Sequence, residues 1–274
     1  MSDQSPEAIL ITIPSSTPKS LFDLSGKTAV VIGGTTGIGH SLSLGLADAG
    51  ADVIASSRRI DEVNKTADEI EAKGRQTLRL TSDVKKRDTL VALREGVLEF
   101  FGKVDILINC AGTTKRAPTL DFSESEWDHI LETNLTGTLR GCQVFGEHML
   151  QRKSGRIINI ASLSTFVALY EVAAYAASKA AVGSLTQSLA VEWSRHGVLV
   201  NAIAPGVFRT ALNSNLLDNS ERGKEFLIRT PMGRFGQTDE LIGAAVYLAS
   251  DAASFVTGQI LAVDGGFLAS GVNQ

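Results

Sequence analysis

The sequence predicts a single doubly wound α/β domain built on a parallel sheet of seven strands. Three observations support this fold class. Short apolar runs rich in Val, Ile and Leu alternate along the chain with longer stretches of helical periodicity. Strands that are apolar on both faces are typical of a parallel sheet covered by helices on both sides. The length of 274 residues and the hydrophobic content of 43% suit one large core.

Each strand is predicted from an apolar run, and the helices from the periodic stretches between them. The strands are expected at residues 28–32, 52–56, 77–80, 104–108, 155–160, 199–203 and 259–263. Helices are expected at residues 39–49, 62–73, 88–101 and 175–195, with one or two more between residues 124 and 150. This order of strands and helices is that of a Rossmann-like fold.

The chain divides into a short extension and one folded domain. Residues 1–23 are predicted to be a flexible N-terminal extension, because the first twenty are rich in Ser, Thr and Pro. The apolar run at residues 9–13 leaves open that this part adds a strand or packs on a neighbouring subunit. Residues 24–274 are predicted to form one Rossmann-fold catalytic domain without an internal repeat or an interdomain linker.

Composition excludes several classes of function. The net charge of −4 argues against a nucleic-acid partner that is bound by neutralising phosphates. Cys110 and Cys142 match no metal-binding spacing, and we interpret both as buried thiols of a reducing compartment. No apolar run reaches the roughly 20 residues of a membrane span, and the N-terminus does not resemble a secretory signal. We therefore expect a cytoplasmic protein with no metal site and no membrane partner.

A glycine cluster follows the first predicted strand and opens the first predicted helix. Gly33, Gly37 and Gly39 have the spacing G-x-x-x-G-x-G, with Thr35 and Ile38 between them. Glycine lets the backbone turn tightly and approach a ligand closely. The free N–H groups and the dipole of the following helix favour an anion such as a pyrophosphate. The pattern predicts a dinucleotide site, and the alternative is a glycine-rich turn without a ligand.

A second candidate site lies far along the chain. Tyr175 and Lys179 are four residues apart and share one face of a predicted helix, and Ser162 lies thirteen residues before Tyr175. An ammonium beside a phenol favours the phenolate, so we expect Lys179 to lower the pKa of Tyr175 towards neutrality. Tyr175 is then a candidate general acid and base. The alternative is an ordinary pair on a helix surface.

Together these motifs resemble those of the short-chain dehydrogenase/reductase family. The resemblance runs from about Leu24 to Phe267. Two positions depart from the family pattern: Ile32 replaces the usual Thr before the first glycine, and Cys110 replaces the usual second Asn. Neither change removes a group that does chemistry. The matching segments are the glycine cluster, Asp83-Val84, Asn109-Cys110-Ala111-Gly112, Asn134, Ser162, Tyr175-x-x-x-Lys179 and Pro205-Gly206.

The resemblance implies a catalytic role for four residues. Tyr175 would pass a proton to or from the substrate oxygen, and Lys179 would tune Tyr175 and hold the nicotinamide ribose. Ser162 would donate a hydrogen bond to the substrate carbonyl. Asn134 would support a water that links Lys179 to solvent. The cofactor site that the resemblance implies comprises Gly33, Thr35, Gly37, Ile38, Gly39, Ser57, Arg58, Asp83, Val84, Asn109, Ala111, Gly112, Tyr175, Lys179, Pro205, Gly206 and Thr210.

The end of the second strand predicts the choice of cofactor. Enzymes that use NAD usually carry an acidic residue there, which binds the ribose 2′-hydroxyl. This chain has Ser57 at that place, followed by Arg58. A guanidinium suits a 2′-phosphate, so we expect NADP(H) in preference to NAD(H). The alternative is that Arg58 and Arg59 belong to a solvated loop.

The substrate is expected to be a small carbonyl or alcohol compound. The motifs are similar to those of gluconate 5-dehydrogenase-like and deoxygluconate dehydrogenase-like members, which implies a sugar acid or polyol. They also resemble 3-oxoacyl carrier-protein reductases, and a non-catalytic NADP(H)-binding sensor is the alternative of another class. Residues 207–235 are predicted to cover the substrate as a lid, and Lys115 and Arg116 are candidates to attract a carboxylate. The resemblance also implies a homotetramer.

Overall fold

The central sheet has six parallel strands. The computed structural model describes residues 20–210, 217 and 220–272. The strands are β1 (Thr28–Ile32), β2 (Asp52–Ser56), β3 (Ile106–Asn109), β4 (Gly155–Ile160), β5 (Val198–Pro205) and β6 (Ile260–Val263). They lie in the order β2-β1-β3-β4-β5-β6, and every neighbouring pair is parallel. The predicted Rossmann-like α/β fold is therefore confirmed.

Helices cover both faces of the sheet. They are α1 (Gly37–Asp48), α2 (Ile60–Ala72), α3 (Arg87–Phe101), α4 (Glu124–Leu131), α5 (Gly137–Arg152), α6 (Ala173–Trp193), α7 (Glu221–Arg229) and α8 (Ile242–Ala249). Alternate residues of each strand point to opposite faces. In β1, Val31 packs with apolar residues of α1 and α8, whereas Val30 packs with those of α3, α5 and α6. The two faces thus form two buried apolar layers.

The prediction of a seventh strand at residues 77–80 is wrong for the described chain. This segment runs beside β2, but only two backbone hydrogen bonds join them, Val53 N to Gln76 O (3.2 Å) and Ser82 N to Ser57 O (3.0 Å). Between these two hydrogen bonds, the Leu80 carbonyl accepts from the Ser56 hydroxyl at 2.7 Å. This side-chain donor takes the place of a backbone N–H. Arg79 is held by carboxylates of α2. The segment is therefore fixed by side chains, without a continuous ladder.

The parallel sheet places the ends of four strands at one edge. The glycine cluster follows β1, the Cys110–Gly112 segment follows β3, Ser162 follows β4 and Gly206 follows β5. In open α/β sheets, ligands bind in the crevice outside these carboxyl ends, where the strand order reverses. Here that reversal lies between β1 and β3. Among the described residues, no helix has the length and apolar character that a membrane crossing requires.

Candidate active site

The glycine cluster forms a tight turn between β1 and α1. Gly33 has a φ of 79° and Gly37 a φ of 52°, which are left-handed values that other residues adopt with strain. A Cβ at Gly33 would lie 2.6 Å from the Ala111 nitrogen, and a Cβ at Gly39 would collide with the Gly33 carbonyl oxygen. Because α1 begins at Gly37, its first N–H groups lie directly after this turn. The turn therefore has the geometry of an anion site at a helix N-terminus.

Two hydroxyls and an arginine lie between the glycine turn and the end of β2. The Thr35 hydroxyl donates to the Ser57 hydroxyl at 2.8 Å. Arg58, the next residue, is exposed and forms no ion pair with any other residue of the described chain. Arg59 pairs with Glu62 at 3.4 Å. The Arg58 guanidinium thus keeps its donors open towards solvent at the edge of the crevice.

Two residues of the predicted cofactor site, Asp83 and Asn109, have side chains that already bind other parts of the chain. The Asp83 carboxylate accepts from the Lys85 N–H at 3.0 Å within its own turn. Asn109 is buried, and its amide donates to Asn159 Oδ1 at 2.9 Å. The Asn109 side chain therefore faces the core, and only its backbone lies towards the crevice. Val84 is also buried and packs against Gly137.

Ser162, Tyr175 and Lys179 come together in a buried cluster. Tyr175 and Lys179 lie one turn apart in α6, and the Ser162 side chain lies near enough to the Tyr175 phenol to lower its pKa. Lys179 Nζ lies 5.8 Å from the centre of the Tyr175 ring and donates to the Ile160 carbonyl at 2.6 Å. Ser162 and Lys179 are both more than nine-tenths buried. The spacing recognised in the sequence thus brings these three groups into one site.

The pKa of Tyr175 moves in the opposite direction from the sequence expectation. Burial raises the pKa of the Tyr175 phenol, while the neighbouring Ser162 side chain lowers it. Burial also lowers the pKa of Lys179 to about 8. In a low-dielectric site both groups favour their neutral forms. The Lys179 ammonium is directed at the Ile160 carbonyl, so its position alone does not make Tyr175 a phenolate.

Asn134 connects the site to the loop that follows β3. It is fully buried and lies in a single π-helical turn, Glu132–Thr136, between α4 and α5. Its side chain accepts from the Thr113 N–H at 2.8 Å and donates to the Thr113 carbonyl at 2.9 Å. A Cβ at Gly112 would lie 3.5 Å from Asn134 Oδ1 and 3.8 Å from Lys179 Nζ. Asn134 therefore holds the Ala111–Thr113 backbone against Lys179.

Two supporting residues were missed in the sequence. The Ser178 hydroxyl accepts from Asn134 Nδ2 at 3.0 Å and donates to the Tyr175 carbonyl at 2.7 Å. The Thr165 hydroxyl donates to the Lys179 carbonyl at 3.0 Å. Both fix the backbone of α6 where it carries the candidate acid. Ser178 follows Tyr175 by three residues, so the helical spacing could have identified it from the sequence. No pattern in the sequence indicates Thr165.

The segment after β5 returns to the glycine turn. The Gly206 N–H donates to the Val263 carbonyl at 2.8 Å, and a Cβ at Gly206 would lie 2.6 Å from Asp264 Cα. Thr210 lies near the turn, because its methyl group is 3.7 Å from where a Cβ at Gly37 would be. Pro205, Gly206 and Thr210 thus border the same crevice. Of the predicted lid, residues 211–216, 218 and 219 lie outside the described residues.

The two candidate cations after β3 have different partners. Lys115 forms an ion pair with Glu126 and lies 6.0 Å from the centre of the Phe122 ring. Arg116 donates through Nε to Glu171 at 2.7 Å. Glu171 itself lies four residues before Tyr175. Of the two, Arg116 is therefore the cation tied to the loop that leads into the catalytic cluster.

Comparison with known proteins gives a consistent result. Residues 33–268 match the family described as Enoyl-(Acyl carrier protein) reductase. The chain is 45% identical over 249 residues to 2-dehydro-3-deoxy-D-gluconate 5-dehydrogenase of Bacillus subtilis, covering 90% of this chain and 96% of that protein. It is 40% identical over 250 residues to gluconate 5-dehydrogenase of Gluconobacter oxydans, covering 91% and 98%.

A solved structure is similar over nearly the whole fold. It is the crystal structure of a gluconate 5-dehydrogenase from Burkholderia cenocepacia in complex with NADP and tartrate. The two chains are 38% identical and superpose with a TM-score of 0.88, covering 91% of this chain and 98% of the other. The family match over residues 33–268 contains both the glycine turn and the catalytic cluster.

Proposed function

The chain belongs to the short-chain dehydrogenase/reductase family, and from that premise we propose that it interconverts a secondary alcohol and a ketone of a sugar acid, with NADP(H) as the preferred cofactor. The observation that carries this proposal is that Ser162, Tyr175 and Lys179 lie in one cluster, with Lys179 Nζ 5.8 Å from the centre of the Tyr175 ring and Ser162 and Lys179 buried. The glycine turn lies at the same edge of the sheet, so one crevice can hold a dinucleotide and a carbonyl compound together.

The catalytic residues act on the substrate oxygen. Ser162 donates a hydrogen bond to the carbonyl and stabilises the charge that develops on it. Tyr175 gives its phenolic proton to that oxygen during reduction and takes it back during oxidation. A raised pKa keeps Tyr175 protonated at neutral pH, which suits proton donation. Lys179, with a pKa of about 8, is mainly charged at pH 7 and stabilises the phenolate when the proton leaves.

The residues of the crevice fit a nicotinamide dinucleotide. The glycine turn leaves backbone N–H groups at the start of α1 for the pyrophosphate. Thr35, Ser57 and Arg58 would hold the adenosine ribose and its phosphate. Ala111 and Gly112 would border the other ribose beside Lys179, and Thr210 would hold the carboxamide end. A bound nicotinamide supplies or accepts the hydride.

The preference for NADP(H) is tested by Arg58→Ala. We expect the KM for NADPH to rise by about 10- to 100-fold, because hydrogen bonds to a charged group contribute about 1.5–3 kcal/mol. The KM for NADH should stay nearly constant, since NADH has no 2′-phosphate. Arg59→Ala is the matched control, because Arg59 pairs with Glu62. Equal KM values for NADPH in wild type and Arg58→Ala would refute the role of Arg58.

The sugar-acid substrate is supported by the relatives and by charge. Proteins at 40 to 45% identity are named for gluconate or deoxygluconate, and Arg116 lies on the loop after β3. The second candidate is a 3-oxoacyl thioester, because the description of the matching family also names an acyl carrier protein, although for an enoyl substrate. The two are separated by measuring NADPH oxidation with 5-keto-D-gluconate and with an acetoacetyl thioester in parallel. Faster turnover of the thioester would favour the second candidate.

Two further expectations from the sequence stay proposals. We propose four copies in the assembled enzyme, which light scattering at micromolar concentration would measure. We also propose that residues 24–274 form the catalytic domain and that residues 1–23 are an extension. Within this extension, residues 1–19 lie outside the described residues. Leu21 is described, and its carbonyl accepts a hydrogen bond from the Ala252 N–H at 3.2 Å.

A further inference from the structure

A charged cluster joins the three loops that follow β3, β4 and β5. Arg116, after β3, donates to the Glu171 carboxylate at 2.7 Å. Glu171 lies between β4 and α6, and its carbonyl accepts from the Ala117 N–H at 3.0 Å. Arg222, in the first turn of α7 after β5, donates to the Tyr170 carbonyl at 2.9 Å. These three loops all leave the carboxyl edge of the sheet, where the catalytic cluster lies.

Only one of the two guanidiniums in this cluster is paired with a carboxylate. Arg116 pairs with Glu171, whereas Arg222 forms no ion pair with any residue of the described chain and donates to the Tyr170 carbonyl. Burial lowers the pKa of Arg222, and the positive charge of Arg116 lowers it further, whereas Glu171 and Glu225 raise it. The Arg222 guanidinium is therefore open to a carboxylate ligand, since planar guanidinium groups bind carboxylates well.

Glu171 is held in an unusual backbone conformation. Its φ is 61°, a left-handed value that is uncommon for a residue other than Gly, Asn or Asp. Such strained residues persist where the surrounding structure imposes them, and they concentrate at ligand sites. Here the strain places a carboxylate on Arg116, four residues before Tyr175. Glu171 thus occupies the position on a guanidinium that an acidic ligand would take.

From this arrangement we propose that Arg222 is a specificity-determining residue that binds the substrate carboxylate together with Arg116, and that Glu171 is an internal competitor for that carboxylate. The proposal rests on the sugar-acid function proposed above. In a sugar acid the carboxylate is several carbons away from the reacting carbinol, so a charged group on the rim of the crevice can bind it while Tyr175 contacts the reacting oxygen. Acids are thereby distinguished from neutral ketones.

The test compares an acidic with a neutral substrate. The measured quantity is the ratio of kcat/KM for 5-keto-D-gluconate to kcat/KM for a neutral diketone. Glu171→Gln should raise this ratio by about threefold, the size expected for an exposed ion pair. Arg222→Gln should lower it by about tenfold or more, the size expected for a hydrogen bond to a charged group. The ratio for Arg222→Lys should lie between those of wild type and Arg222→Gln, because lysine keeps the positive charge but lacks the planar guanidinium group.

A matched control lies on the same helix. Lys224 is exposed and pairs with Glu221 on α7, so Lys224→Gln removes a positive charge near Arg222 without touching the cluster. Its ratio should equal that of wild type. Equal ratios in wild type, Glu171→Gln and Arg222→Gln would overturn the proposal. A fall of the same size in Lys224→Gln would also overturn it, because it would show only a general effect of charge.

A wrong sugar-acid substrate can be distinguished from a wrong anion site. If the wild type reduces the neutral diketone and leaves 5-keto-D-gluconate unreacted, the sugar-acid function is wrong. The cluster is then tested by inhibition of diketone reduction with gluconate. Inhibition that weakens in Arg222→Gln and strengthens in Glu171→Gln supports the anion site, whereas absent or unchanged inhibition overturns it. If neither ketone reacts, the oxidoreductase function and the inference fail together.

Discussion

Tyr175→Phe is expected to lower kcat for ketone reduction by about 10²- to 10⁴-fold, the usual contribution of a positioned general acid. The change removes only the phenolic hydroxyl, whose pKa Ser162 lowers. Phenylalanine keeps the ring that packs beside Lys179, so the fold and the binding of NADPH should persist. The measurements are steady-state kinetics and a fluorescence titration with NADPH. Together they separate a loss of chemistry from a loss of binding.

Tyr170→Phe is the matched control for this substitution. Tyr170 precedes the same helix, but its side chain is 74% exposed. It interacts with Arg222 through its backbone carbonyl, which the substitution leaves in place. Its kcat should stay within about twofold of wild type, as expected for a surface change of about 0.5 kcal/mol or less. Retention of most activity in Tyr175→Phe would show that another group moves the proton.

Lys179→Met is expected to lower kcat by about 100-fold, the size seen when one preorganised electrostatic group is removed. It should also change how stability depends on pH. The pKa of Lys179 is about 8 in the folded protein, below its ordinary value of 10.5. Below pH 8 the amine is protonated in both states, and the folded state carries the full cost of a buried charge. Between pH 8 and 10.5 the unfolded chain binds more protons, so stability rises with pH.

Urea unfolding of wild type and Lys179→Met between pH 7 and pH 10 measures this effect. The wild type should gain stability relative to the variant across this window, by on the order of 2–3 kcal/mol. Burial raises the pKa of Tyr175, so its phenol in the folded state stays protonated over most of this window and the comparison reports mainly on Lys179. Parallel stability profiles would contradict the depressed pKa of Lys179. They would show that Lys179 titrates at the same pH in the folded and the unfolded state.

Local patterns were sufficient to predict much of the fold and the core of the site. The alternation of apolar runs and helical stretches predicted six strands that the structure contains. The spacing of Tyr175 and Lys179 predicted their shared helix face, since this depends only on helix geometry. The glycine spacing predicted the turn, because the close approach of Gly33 to Ala111 and of Gly39 to Gly33 leaves no space for a side chain.

Features that depend on distant residues were not predictable in this way. The apolar run at residues 77–80 resembled a strand, yet Ser56 and the carboxylates of α2 bind it by side chains. The direction of the Tyr175 pKa shift depends on burial. The Ile160 carbonyl that accepts the hydrogen bond from Lys179 Nζ belongs to β4, whereas Lys179 lies in α6. The burial of Asn109 likewise depends on Asn159 in β4. Sequence spacing along one element contains none of this information.

The most direct measurement is the oxidation of NADPH and of NADH by the wild-type protein, followed by absorbance, with 5-keto-D-gluconate, an acetoacetyl thioester and a neutral diketone. We expect 5-keto-D-gluconate with NADPH to have the highest kcat/KM of the six combinations. Turnover of the thioester alone would contradict the sugar-acid substrate. Binding of NADPH without turnover of any ketone would contradict the central claim that Ser162, Tyr175 and Lys179 form a working active site.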